Sequence, residues 1–379
     1  MNKLEKHKEK GFRIEFNWLN IIAYSLLFIF TYLMVRRQLE LRFLVEWGDE
    51  SETIIATKMM AAGYRLYTEV YNNHGPLTFL PGLIISSFGN FRIETYRWIP
   101  IVLQWFALIS IYFSPLYKDK LQRIFATLIS GWAMIVFMPL IYGHTYLYQT
   151  MSGIFMIIIL AQYTLPVLLK KEIYPIQILI GNFLTFSLLF LAVTNLPFAL
   201  IIFVITFRQK YFKFITIGGL LALGLNLGFL LMYGSWDGYI AYHYYLNANV
   251  LYSGQGIFAF IKTILDFYAK NFSHFLTLIL ILLAVMKVNR NGTWINHLCN
   301  LLIIPMFVSL VIRGGQVFTL SGLVYLYALI GLSLVFFDFT VEDQSMLTKF
   351  VQYLPLYIVS LIALIIRSEE HTSELQSRH

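Results

Sequence analysis

Residues 18–35 read Trp18-Leu-Asn-Ile-Ile-Ala-Tyr-Ser-Leu-Leu-Phe-Ile-Phe-Thr-Tyr-Leu-Met-Val35 and are closed by Arg36-Arg37. A helix of about 20 such residues crosses a hydrocarbon core of about 30 Å. The basic residues around Lys3, Lys6, Lys8 and Lys10 precede it, and no small-residue cleavage site follows it, so it reads as a first membrane span and not as a cleaved leader. Similar runs recur along the chain. With residues 18–35 they are 97–117, 124–141, 151–169, 176–193, 195–207, 214–233, 271–286, 297–312, 317–336 and 351–366. The expected fold is therefore all-α and polytopic, with roughly eleven transmembrane helices. Residues 195–207 are short and start beside Asn195 and Pro197, which fits half of a broken helix.

Composition agrees. Hydrophobic residues make up 58% of the chain and charged residues 13%, with mean hydropathy +0.68. Soluble domains are closer to half apolar and one quarter charged. The net charge of +8 does not call for nucleic acid, because the basic residues are scattered between apolar runs and form no single patch. The one cysteine, Cys299, excludes an intrachain disulfide and any cysteine-based zinc site, and its place in a span suits packing.

Lysine and arginine favour the cytoplasmic side of short loops. With the N-terminus inside, that side receives Lys118, Lys120, Arg123, Lys170, Lys171, Arg208, Lys210, Lys213, Lys287 and Arg290. The stretch 76–89 is apolar but short and holds Pro76, Pro81 and Gly82, and counting it as a span would turn Lys118, Lys120 and Arg123 outward. It reads instead as a helix lying at or dipping into the membrane surface. The loop from Arg36 to Arg97 is then wholly extracytoplasmic and carries Glu40, Glu46, Asp49, Glu50, Glu52, Glu69 and Glu94. A second outside loop, Gly234 to Lys270, carries Asp237, His243 and a cluster of tyrosines.

Within the first loop, Glu46-Trp47-Gly48-Asp49-Glu50-Ser51-Glu52 leads into a helix over Thr53–Ala62 that Gly63 suits as an end. Ile55, Met59 and Ala62 fall on one face of it. Asp49 with Glu52 three residues on also matches a variant capping box, a structural role compatible with a chemical one. Next comes Val70-Tyr71-Asn72-Asn73-His74-Gly75-Pro76-Leu77, running into the apolar stretch closed by Phe88-Gly89.

An Asp-Glu pair after the first span, a short helix, a Gly-x-x-x-Tyr turn, an Asn-basic-x-Pro-Leu stretch and an apolar run ending in Phe-Gly resemble the membrane glycosyltransferases of the GT-C fold. The likeness is nearest to the dolichyl-phosphate-mannose-dependent and aminoarabinose-transferase-like families. It is strong over residues 46–89 and loose elsewhere. It implies an enzyme that takes a sugar from a polyprenyl-phosphate carrier at the outer membrane face and passes it to an acceptor hydroxyl with inversion. Asp49 is then the catalytic carboxylate and Glu50 its companion. His74 falls where the family often has a lysine for the carrier phosphate, and Gly75 where it often has proline. The loop Gly143-His144-Thr145-Tyr146-Leu147-Tyr148-Gln149 lacks the further acid that some relatives carry.

Such a transfer needs a carboxylate to take the hydroxyl proton and donors around the leaving phosphate. Arg313, ahead of Gly314-Gly315 at a span end, is a candidate phosphate clamp, and also an ordinary snorkelling arginine. Tyr242, His243 and Tyr245 are candidates to line an acceptor or carrier groove, although interfaces are rich in aromatics anyway. No nucleotide-sugar fold, phosphate loop or zinc spacing occurs, so no cofactor is expected, and dependence on a divalent metal stays open. The partners expected are the lipid-linked donor, an acceptor of unspecified class (lipid, polysaccharide or protein) and membrane lipids. A transporter or lipid flippase of the envelope would have as many spans but would place ionisable residues inside the bilayer. A structural subunit with a degenerate site would not need the intact Asp-Glu pair.

The end of the chain is set apart. Arg367 to Ser377 resembles the translation of a sequencing-library adapter and breaks off an apolar helix, so residues 1–366 are taken as the GT-C-like unit and 367–379 as a non-native tail. The natural chain is expected to continue past Ile366.

The layout predicts the reactivity of single cysteines placed at Lys10, Arg92 and Lys120 in a Cys299→Ser background. An impermeant thiol reagent on intact cells should label position 92 and spare 10 and 120, and the opposite pattern would reverse the assignment of the first loop.

Overall fold

The computed structural model describes residues 18–246, apart from 45–47, 118–119, 138–142 and 169. Among these residues the secondary structure is helical, with no strand beyond one isolated bridge between Leu66 and Val70. The helices are α1 Trp18–Leu41, α2 Gly48–Ala61, α3 Leu80–Ser87, α4 Ile93–Tyr96, α5 Trp98–Tyr112, α6 Lys120–Phe137, α7 Tyr148–Ile159, α8 Leu165–Leu168, α9 Pro175–Ser187, α10 Leu196–Thr206, α11 Phe212–Tyr233 and α12 Trp236–Tyr239. The expected spans over 271–286, 297–312, 317–336 and 351–366, with Cys299, Arg313 and the adapter-like tail, lie outside the described residues.

Among the described residues, three helices are long and apolar enough to cross a membrane: Ile21–Leu41, Tyr148–Val167 and Gln209–Tyr233. They mark the chain as membrane-associated. The middle one runs from α7 through a π-helical turn, Leu160–Thr164, into α8, and most of it is buried. The other two are largely exposed, with apolar side chains such as Phe28, Tyr32, Leu220 and Leu231 on their outer surfaces. An apolar exterior of this kind suits a surround of lipid. The core forms where α5 and α9 close on α7, with Leu108, Ile111, Ile154, Ile157, Ile178 and Leu184 in one buried cluster.

Two stretches depart from full-length spans. Residues 176–193 become the apolar helix Pro175–Phe190, shorter than the three above. Residues 195–207 become the 11-residue α10, whose length of roughly 17 Å is about half of a hydrocarbon core. Between them the side-chain amide of Asn195 donates to Ser152 Oγ at 2.9 Å and to the Leu188 carbonyl at 3.0 Å, so a buried amide satisfies the helix end that the break exposes. The stretch 76–89 is a 3₁₀ turn, Pro76–Thr78, followed by the eight-residue α3. At about 12 Å, α3 is too short to cross.

Small residues let helices close on each other. A Cβ on Gly218 of α11 would lie 2.8 Å from the Leu179 carbonyl oxygen and 2.9 Å from the Phe183 nitrogen of α9, backbone atoms with no freedom to yield. Gly224 on the same helix faces open space, with nothing within 4 Å. Gly218→Val is therefore expected to lower stability by about 1–3 kcal/mol through overpacking, while Gly224→Val is expected to leave it nearly unchanged. Thermal unfolding of the two purified variants side by side tests the α9–α11 contact.

Candidate functional site

The first loop folds over one end of the helix bundle, and its anchor is an ion pair. Glu50 and Arg97 are 1% and 2% exposed. Arg97 Nη2 lies 2.6 Å from Glu50 Oε2, and Nε lies 3.1 Å from both carboxylate oxygens. The remaining nitrogen, Nη1, donates to the carbonyls of Leu41, Arg42 and Leu44 at 3.2, 2.9 and 2.5 Å. Arg97 thus satisfies carbonyls left over at the C-terminus of α1, which has no basic residue in its own last turn. Glu50 sits in the first turn of α2, where a negative charge is favoured, and its Oε1 also accepts the Tyr146 backbone N–H at 2.8 Å.

That pairing sets the rotation of α2. Successive helical residues point about 100° apart, so with Glu50 turned inward, Thr53, Ile54 and Thr57 follow it into the core and Asp49 is left half-buried at the edge. The face expected from Ile55, Met59 and Ala62 is not the packed one, since Ile55 is 56% exposed and Ala62 is exposed. The helix ends as the sequence indicates: Gly63 has φ +102°, and the N–H of Tyr64 reaches back to the Met59 carbonyl at 3.1 Å.

Glu52 does not close a capping box with Asp49. Its Oε1 accepts the side-chain N–H of Asn72 at 3.0 Å, and Asn72 Oδ1 in turn accepts the backbone N–H of His74 at 2.9 Å. Burial holds the Glu52 carboxyl above the ordinary carboxylate range, and the charge of Asp49 adds to this. One buried amide, Asn72, thus joins the two halves of the sequence pattern that lie 20 residues apart. The His74 imidazole packs on the Tyr148 ring with centroids 4.2 Å apart. The segment 143–149 is brought in as well: the Tyr146 hydroxyl donates to the Thr78 carbonyl and accepts the Gly82 N–H at 2.9 Å, and burial keeps that phenol protonated. A Cβ at Gly82 would meet the Tyr146 ring at 2.7 Å, so only glycine allows this seat.

The tyrosine-rich segment after α11 packs on the same end. His243 is fully buried, with Nδ1 3.2 Å from the Asn73 carbonyl and Nε2 3.2 Å from the Leu189 carbonyl, and it stacks on Tyr239 at 5.0 Å. It acts as a bracket between the His74 turn and the end of α9. Tyr242 is half-buried against Tyr71 at 5.4 Å, and Tyr245 is 66% exposed. Arg313 lies outside the described residues. Among those described, no group of three or more His, Cys, Asp or Glu is placed to hold a metal ion.

The structure therefore gathers Glu52, Asn72, His74 and Tyr148 into one contact series, with Asp49 three residues ahead of Glu52 on α2. It places Glu50 in the packing beneath them. Arg97, Asn72 and Tyr146 are the residues sequence reasoning did not single out. The place of an arginine directly ahead of an apolar run is the one sequence signal that could have marked the first. Comparison with protein-family models, with curated proteins and with solved structures finds no match to this chain.

Removing one partner of a buried pair strands the other charge and typically costs about 3–5 kcal/mol, whereas replacing both by apolar residues of like volume can be nearly neutral. Arg97→Ala is expected to destabilise the protein by that amount, and Arg97→Met with Glu50→Met by much less. Unfolding midpoints of the single and double variants in detergent check the order.

Proposed function

We propose that the chain is an integral-membrane glycosyltransferase that moves a sugar from a polyprenyl-phosphate donor to an acceptor hydroxyl at the extracytoplasmic face. The observation that carries this reading is the Asp49 to His74 series. A half-buried carboxylate, Asp49, stands in the first turn of α2, the helix whose Glu52 is bonded through Asn72 to the imidazole-bearing turn, at the end of the bundle where three loops meet. The contacts of the first loop with residue 146, with Leu191 and with Tyr233 support placing all of these segments on one side of the membrane.

In the proposed reaction the acceptor oxygen attacks the anomeric carbon as the bond from that carbon to the carrier phosphate breaks. Asp49 takes the hydroxyl proton, and the phosphate leaves with the electron pair of the broken bond. His74 stabilises it, as a hydrogen-bond donor when neutral and as a cation when protonated. Attack opposite the leaving group inverts the anomeric centre. Glu50 is a positioning residue, since both of its oxygens are taken by Arg97 and the Tyr146 N–H. Donor sugar and acceptor are to be identified by mass spectrometry of lipid extracts and glycans from cells with and without the gene, where loss of the chain should leave a lipid-linked sugar accumulated and a glycan short of it.

Asp49→Asn keeps the size and polarity of the side chain and removes its basicity. Transfer should fall by about 10² to 10⁴, the usual contribution of a general base, with donor binding and thermal stability unchanged. His74→Lys should keep activity and His74→Ala lose most of it through weaker donor binding. Full transfer by a well-folded Asp49→Asn protein would remove Asp49 from the mechanism.

A further inference from the structure

A second feature at the same end of the bundle faces outward. Where α11 ends, a groove of about 590 Å³ is lined by Arg65, Thr68, Leu227, Leu231, Ser235 and Trp236. Its parts are graded along the helix axis. Leu227 and Leu231 belong to the candidate span Gln209–Tyr233, and Leu231 is 80% exposed. Above them stand the hydroxyls of Thr68 and Ser235 and the guanidinium of Arg65. Trp236 is more than half exposed at the level where the span ends, the depth at which tryptophan sits in a bilayer interface.

Arg65 is held in place rather than left to wander. One of its terminal nitrogens donates to the Gly234 carbonyl at 2.6 Å, while the neighbouring Leu66 N–H donates to the Tyr233 carbonyl at 2.8 Å. Glu69 accepts the Arg65 backbone N–H at 2.7 Å, and the guanidinium makes no ion pair among the described residues, neither with Glu69 nor with Asp237. A fixed fork of N–H donors at a span end, beside two hydroxyls and over an apolar helix face, matches a phosphate with an acyl chain below it.

We propose that this groove binds an anionic phospholipid of the surrounding bilayer, its phosphate on Arg65, Thr68 and Ser235 and one chain along Leu227 and Leu231. The groove shares no lining residue with the Asp49 to His74 series, so the site is separate from the proposed donor site. The proposal rests on α11 standing in the membrane and not on glycosyl transfer. Its consequence is structural: a bound headgroup would brace the turn at Arg65 against the end of α11, and through Tyr67, whose hydroxyl donates to the His74 carbonyl at 2.6 Å, brace the turn that carries His74.

The test uses the full chain reconstituted in phosphatidylcholine bilayers that contain bromine-labelled lipid. The Trp236 signal is taken as the difference between the protein and Trp236→Phe. Brominated phosphatidylglycerol should quench it at about one fifth of the mole fraction needed for brominated phosphatidylcholine, the factor expected for one basic residue at an anionic surface. Arg65→Lys should keep most of that preference and Arg65→Gln abolish it. Thr68→Glu, at an exposed position that takes no part in the Arg65 to Gly234 bond, should abolish it too by placing a carboxylate where the phosphate would sit. Equal quenching by the two lipids, or a preference that survives both Arg65→Gln and Thr68→Glu, would overturn the proposal. So would relief of quenching by trace polyprenyl phosphate that excess unlabelled phosphatidylglycerol fails to match, since the groove would then belong to the carrier.

Discussion

The hydrogen bonds of Arg97 decide how the first loop sits. A guanidinium in a buried site must fill its N–H directions or pay for their desolvation. Here Glu50 takes two nitrogens, and the carbonyls of Leu41 at the end of α1 and of Arg42 and Leu44 just past it take the third. The end of α1, the start of α2 and the residue before α5 are therefore one unit. The Tyr146 N–H on Glu50 adds the loop before α7. Such a pair contributes less to net stability than to fixing one arrangement, because its Coulomb gain is largely offset by desolvation. What it fixes is the rotation of α2, which leaves Asp49 at the edge of the packing.

From that anchor the remaining contacts follow in order. With α2 rotated so, Glu52 meets Asn72, and Asn72 shapes the turn at His74. Tyr67, at φ +67°, bends the chain so that its hydroxyl reaches the same turn from the other side. Gly238 packs on the Tyr67 backbone, where a Cβ would come within 2.3 Å of the carbonyl oxygen. His243 then joins Asn73 to Leu189; a neutral ring donates to one of these carbonyls and an imidazolium donates to both. Segments near residues 50, 74, 146, 189 and 240 are thus one packed layer, and a half-buried acid in such a layer is better preorganised than one on a free loop.

Much of the architecture was legible because it is written in runs and breakers. Apolar stretches marked α1, α7 and α11, and Pro76, Pro81 and Gly82 argued correctly against a span there. Gly63 signalled the end of α2 by the one backbone conformation that glycine takes easily. The rotation of α2 was not legible. Its apolar residues are ambiguous, with Ile54 and Ile55 adjacent, and the choice was made by a charge whose partner lies 47 residues away. Local periodicity carries no information about such a pair. His243 was misleading for a similar reason: in a run of tyrosines it looks like part of an aromatic lining, and only the approach of two carbonyls from distant segments makes it an internal bracket. In the candidate site, Asp49 and His74 were readable as residue types in a pattern, whereas Asn72, which links the His74 turn to Glu52 of α2, was one polar loop residue among several.

Gly75 shows how closely the His74 turn is fitted to its support. A proline at this position would fail twice. The Gly75 N–H donates to the Leu191 carbonyl at 2.9 Å, a bond that proline has no hydrogen to make. A Cβ at Gly75 would also fall 2.0 Å from the Phe190 carbonyl oxygen, inside any tolerable contact. The turn comes so near because α9 gives way to a 3₁₀ segment, Leu188–Phe190, whose carbonyls are turned out of the helix and need donors. Gly75, Thr78 and His243 supply them at Leu191 and Leu189. The break in the helix and the absence of a side chain at residue 75 are therefore two halves of one fit. Together they set the depth of His74 against the end of α9, beside the ring of Tyr148.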